Sequence, residues 1–112
     1  MCSADELKII TSKVSELSKE TFGSLLENVI LYGSYARGEQ DSESDIDIMI
    51  LADVDAEKLS DYKKNFIILS SELGLEYDIV ITITLKDCRT FREYYNAMPF
   101  YRNVIKEGIK IA

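Results

Sequence analysis

The residues of this 112-residue chain whose types and spacing could do chemistry are Gly33-Ser34, then, after ten intervening residues, Asp45-Ile46-Asp47. Aspartates at i and i+2 on a strand share a face with their alpha carbons about 6.6 Å apart. That separation suits a pair of divalent ions about 3.5 to 4 Å from each other. Oxygen ligands without His or Cys select hard ions, magnesium first and manganese as a substitute. Gly33 lets backbone approach a phosphate closely. Ser34 offers a hydroxyl and an amide at an expected helix start, where the local dipole favours anions. A further carboxylate, Asp78, is expected to open a later strand, where it would complete one metal site and accept the proton of an attacking hydroxyl. The set reads as a triphosphate grip beside a two-ion site.

Each part also has an ordinary reading. A lone Gly-Ser is usually a turn, and an isolated Asp-x-Asp usually lies on the surface; it is the combination with Asp78 that points to catalysis. Glu76 shares the face of Asp78 and competes with it for the role. Arg37 either neutralises phosphate charge, which suits a guanidinium, or pairs with Glu39 or Asp41. Tyr35 either stacks on a base or, more ordinarily, packs. Cys88 has no adjacent base and reads as an inert part of the fold. Phe91, Tyr94, Tyr95, Phe100 and Tyr101 form an aromatic cluster expected first of all in the core, with room for some of it in a partner surface.

Composition narrows the alternatives. The chain has no histidine, which removes a Ser-His-Asp triad, a His-paired cysteine and a His-rich zinc site. With 20 acidic against 13 basic residues the net charge is −7, a field that repels phosphate backbones and gives no support to general nucleic-acid binding. A basic protein partner suits it better. Only Cys2 and Cys88 occur, one of them at a terminus expected to be mobile. A reducing cytoplasm is therefore expected. Nothing resembles a secretory leader, and no run approaches the roughly 20 apolar residues that span a bilayer. Length and composition fit one globular domain over residues 1–112.

Several elements must position the site. Ser3 with Glu6 reads as a capping box, and Leu7, Ile10, Val14 and Leu17 mark an amphipathic helix from about Ala4 to Thr21. Val29 to Tyr32 reads as a buried strand, Gly33 to Gly38 as a tight turn or one helical turn, and Asp45 to Leu51 as a second strand. Asp55 is expected to cap a long helix carrying Leu59, Tyr62, Phe66, Leu69 and Leu73, with Gly74 as its stop. Tyr77 to Thr84 reads as the third strand. Strand, helix and strand make a crossover unit, so strands two and three are expected parallel. A brief link makes strands one and two antiparallel, and that topology brings Gly33, Ser34, Asp45 and Asp78 to one edge. Two short helices follow, the second starting at Pro99. The fold class is α/β, a small mixed sheet flanked by helices.

These residues resemble the minimal nucleotidyltransferases of the DNA polymerase beta-like superfamily, in particular the MNT (MntA-like) antitoxins paired with HEPN toxins. The motif of that family, Gly-Ser, ten residues, Asp-x-Asp, is matched by Gly33, Ser34, Asp45 and Asp47 without a gap, and the likeness in element order extends from about residue 5 to 85. The resemblance implies a polymerase beta-like fold. It implies that Asp45, Asp47 and Asp78 hold two magnesium ions, and that Ser34 holds the distal phosphates of ATP. A hydroxyl would attack the alpha phosphorus and pyrophosphate would leave. In the antitoxin group the acceptor is a tyrosine of the HEPN ribonuclease, silenced by adenylylation; homo- or hetero-oligomers are both compatible with that role. Two rivals are an idle antitoxin that masks its partner, and a nucleotidyltransferase acting on a small molecule such as an aminoglycoside.

Overall fold

The computed structural model describes residues 2–112. Helix α1, Ala4–Phe22, starts at the expected capping box: the Glu6 amide donates to Ser3 Oγ and the Ser3 amide to Glu6 Oε1. Gly23 ends it, and a short 3-10 turn leads into β1, Leu26–Tyr32. Helix α2, Ser34–Arg37, is the single helical turn anticipated between the glycines. Strand β2, Ile46–Ala52, is followed by α3, Ala56–Leu59, α4, Lys63–Tyr77, and β3, Ile81–Asp87. The chain closes with α5, Cys88–Tyr94, α6, Pro99–Glu107, and β4, Ile109–Lys110.

The sheet order is β3-β2-β1-β4. As expected, β1 and β2 are antiparallel and β2 and β3 parallel, so the sheet is mixed. Because β2 is central and both faces are covered, its sequence is an almost continuous apolar run. Every position of β2 is buried except Asp47, which is half-buried. On one face Ile46, Ile48 and Ile50 pack with Val29, Leu31, Phe66 and Leu73 under α1 and α4. On the other, Met49 and Leu51 pack with Ile30, Phe91, Tyr101 and Val104 under α5 and α6. Each such side chain contributes on the order of 1.5–3 kcal/mol by leaving water. Asp47 belongs to the second face, at the end of the strand where the apolar cover stops.

The sequence reading needs correction at several points. The long helix from Asp55 is broken between Leu59 and Lys63, and the Asp55 carboxylate makes no capping bond; the Asp55 carbonyl accepts from Lys58 and Leu59 instead. No glycine or proline marks this break. It is made by packing, since Tyr62 sets its ring edge-on to Phe22 at 5.4 Å while Phe66 stacks on the same ring at 6.1 Å. Gly74 is not the stop. Helix α4 continues to Tyr77, and Asp78 takes the left-handed cap conformation at φ 52° and ψ 52°, which Asp tolerates better than most residues. Gly74 is small because the chain returns against it: a Cβ there would lie 2.8 Å from the Ile79 carbonyl oxygen. Strand β3 therefore begins after Asp78, which caps a helix instead of opening a strand. Cys2 is buried, its amide donating to the Tyr35 hydroxyl at 3.3 Å. Strand β4 was not anticipated; it pairs with β1 through Ile30 and Leu31.

Candidate active site

Antiparallel register fixes the centre of the site by placing Tyr32, the last residue of β1, opposite Asp47. The chain leaves β1 through Gly33 at φ 76° and ψ −158°, a conformation essentially reserved for glycine. The Gly33 carbonyl accepts from the amides of Ala36 and Arg37, which shapes α2, and Gly38 closes the turn in the left-handed region. Gly33 is also pressed on Asp47: a Cβ at that position would come 2.5 Å from Asp47 Oδ2. Glycine is thus required by backbone conformation and by the carboxylate. Ser34 opens the turn and is half-buried.

The carboxylates are electrostatically coupled. Burial pushes the Asp47 carboxyl above its ordinary range, the nearby charge of Asp45 pushes in the same direction, and Arg37 partly opposes them. A half-buried acid held beside another acid is favoured by a cation. Arg37 is exposed; its Nε lies 3.1 Å from Glu39 and its Nη1 3.3 Å from Glu107. Of the two partners anticipated, Glu39 is used and Asp41 is not. Tyr35 is buried, as packing required.

Asp78 and Asp45 line one groove of about 350 Å³, together with Ser42, Glu43 and Val80. The register of β2 and β3 sets Asp47 against Thr82, with the Ile46 amide bonded to the Val80 carbonyl. The topology brings Gly33, Ser34, Asp45 and Asp47 together, while Asp78 joins Asp45 in the lining of the groove. Among the described residues no group of three His, Cys, Asp or Glu side chains is close enough to share one ion.

Two participants at the site were not legible in the sequence. Burial raises the Tyr32 hydroxyl pKa, Thr84 partly opposes the rise, and Asp47 lies close enough to add to it. The Tyr32 position read only as the end of a strand. Glu107 reaches Arg37 across 70 residues of chain, with no local signal. Cys88 is inert as expected: burial, then the hydrogen-bonded Glu27 carboxylate, pushes its thiol up to about 12.

A mixed sheet with a glycine turn closed over an acidic pair at the start of its central strand defines a nucleotidyltransferase. The chain belongs to the nucleotidyltransferase domain family, whose profile matches residues 7–111. It is 38% identical over 104 residues to a protein of Methanocaldococcus jannaschii named as a protein adenylyltransferase, covering 93% of this chain and 95% of that one. A second M. jannaschii protein bearing the same name is 36% identical over 90 residues, covering 78% and 86%. Among solved structures, a toxin-antitoxin complex with AMP-PNP superposes with a TM-score of 0.60 at 22% identity, over 91% of this chain and 72% of that one. The complex of a tri-AMPylated Shewanella oneidensis HEPN toxin with its MNT antitoxin gives 0.53 at 19% identity, over 94% and 71%. These similarities establish the polymerase beta-like fold.

Proposed function

We propose that this enzyme transfers AMP from ATP to a hydroxyl, a tyrosine side chain, of a HEPN-type ribonuclease, and so acts as the antitoxin of a toxin-antitoxin pair. The observation that carries the proposal is the contact of the Gly33 turn with Asp47, which puts a backbone able to meet phosphate beside an acidic pair. The 38% identity to a protein named as an adenylyltransferase supports protein as the acceptor.

The donor set fits a hard divalent ion. Asp45 and Asp47 offer only oxygen, and the upward push on Asp47 marks a pair short of positive charge. Magnesium is commonly held by one or two carboxylates with phosphate oxygens and water completing its shell, so two aspartates suffice without a third in contact. When bound there, magnesium would neutralise phosphate charge and orient the alpha phosphorus.

The chain's own residues supply the rest. The Gly33-Ser34 turn receives the distal phosphates, and Arg37 at its far end exchanges a carboxylate partner for a phosphate oxygen. Asp78, which lines the same groove as Asp45, accepts the proton of the incoming hydroxyl. The hydroxyl oxygen then bonds the alpha phosphorus, the bond from that phosphorus to the bridging oxygen breaks, and pyrophosphate departs with the electron pair.

The test is ATP labelled at the alpha phosphate, magnesium and, as acceptor, any HEPN-type protein that a neighbouring reading frame encodes. Labelled HEPN protein is expected with the wild type and not with Asp45→Asn/Asp47→Asn. Equal labelling by that variant, or silencing of the partner without any label, would overturn the reading; the second result would show masking instead.

A further inference from the structure

Two concavities adjoin the Gly33-Asp47 centre, one lined by Asp45 and the other by Gly33, and their chemistry differs. The groove toward β3 is walled by Glu43, Asp45 and Asp78. The other, toward α6, is a pocket of about 230 Å³ whose lining includes Tyr32, Gly33, Arg37, Phe100 and Asn103. The first presents carboxylates beside serines and apolar residues; the second presents two aromatic rings, an amide, and a guanidinium paired with the Glu107 carboxylate. A transferase that joins a nucleotide to a separate acceptor needs two such places, one on each side of the reacting phosphorus. We infer that the α6 pocket receives the nucleoside end of the nucleotide, that Phe100 stacks on the base, and that the Asn103 amide selects adenine. This inference rests on the reading of the Gly33-Asp47 centre as the phosphate and metal end of the site.

The α6 residues arrive there for a local reason. Phe100, Asn103 and Glu107 follow one another at spacings of three and four, which places them on one helix face. Pro99 begins the helix, and Tyr101 and Val104, its buried residues, anchor it, Val104 in the lining of the same pocket. Phe100 meets Tyr32 edge-on at 5.7 Å and 82°, yet is 46% exposed. The ring is held by Tyr32 and Tyr101 yet keeps about half its surface exposed, and an accessible ring next to a phosphate-binding turn suits a base. Asn103, exposed and one turn further along α6, offers an amide donor and a carbonyl acceptor. An asparagine amide pairs with the amino group and ring nitrogen of adenine in two simultaneous bonds, and guanine presents the wrong groups to it. Arg37 stands between this pocket and the turn that begins at Gly33, tied to α6 through Glu107. A nucleotide running from pocket to turn would therefore pass it with its phosphates.

The experiment is equilibrium binding, in magnesium, of ATP, GTP and inorganic triphosphate to the wild type, Phe100→Ala, Asn103→Ala and Asp47→Asn. The wild type should bind ATP more tightly than GTP. Phe100→Ala and Asn103→Ala should each weaken ATP about 10- to 100-fold and leave inorganic triphosphate unchanged, which also shows that the variants are folded. Asn103→Ala should in addition lose the preference of ATP over GTP, whereas Asp47→Asn should weaken all three ligands. If both α6 variants bind ATP like the wild type while Asp47→Asn does not, the pocket assignment falls and the reading of the metal end stands. If the wild type binds neither ATP nor inorganic triphosphate, both fall.

Discussion

Replacing Gly33 by alanine tests the centre of the site, because it adds one methyl group at a point constrained twice. At φ 76° and ψ −158° an L-residue is strained, at a cost of about 1–3 kcal/mol. The new Cβ would also stand 2.5 Å from Asp47 Oδ2, about 0.9 Å inside ordinary contact. The obstructing atom is the end of a half-buried side chain, not backbone, so the carboxylate swings aside and the stability loss stays near the strain value. Catalysis bears the remainder: displacing a catalytic group by about 1 Å costs on the order of a hundredfold in rate. The control is Gly23→Ala, where φ is also positive, at 54°, but nothing lies within 4 Å of the added methyl. Urea unfolding should show both variants destabilised by about 1–3 kcal/mol. Single-turnover AMP transfer should fall about a hundredfold in Gly33→Ala alone. Equal activity of Gly33→Ala and wild type would refute the reasoning, as would equal losses in the two variants.

Three other outcomes are expected. Asp87 caps α5 by accepting from the Thr90 amide at 2.9 Å. Burial alone would raise its carboxyl, but the Thr90 hydrogen bonds, its own amide and Lys86 outweigh that and leave it depressed. A depressed folded-state acid stabilises above the unfolded pKa of about 3.9 and loses that contribution as pH falls through its folded value. Asp87→Ala should thus cost about 1 kcal/mol at neutral pH, with the gap to wild type closing below about pH 4 in pH-resolved urea titrations. Cys88, buried with its thiol at about 12, should resist a thiol-specific chromogenic reagent in native buffer and react fully in denaturant; prompt native reaction would contradict the packing under α5. Ile48, fully buried in the central strand, should cost about 2–5 kcal/mol as Ile48→Ala and about 0.5–1.5 as Ile48→Val, read by denaturant midpoint at unchanged slope.

The elements around the site were legible because their signals are local. The Ser3 and Glu6 box, the apolar stripe of α1, the branched run of β1 and the Ile46-Ile48-Ile50 alternation each encode a period or a cap within a few residues. Topology followed from connection length, since a helical crossover demands parallel strands and a brief link permits antiparallel ones. The break before α4 and the true role of Gly74 were hidden, because rings from α1 and the returning carbonyl of Ile79 decide them. The same holds for β4, a two-residue strand that exists only because β1 offers it an edge.

For the candidate site, sequence alone determined which groups are available: a glycine with a serine, two aspartates one residue apart where a strand begins, Asp45 just before β2 and Asp47 within it, and no histidine to offer another chemistry. Residue type and a period of two are enough for that. Only the tertiary structure decided who meets whom. It pressed Gly33 onto Asp47, made Asp78 a helix cap in the groove that Asp45 lines, tied Arg37 to Glu107, and swung α6 over the Tyr32 end of β1. Those relations are distances between segments far apart along the chain, fixed by strand register and by the packing of two apolar faces, and no local pattern of residues encodes them.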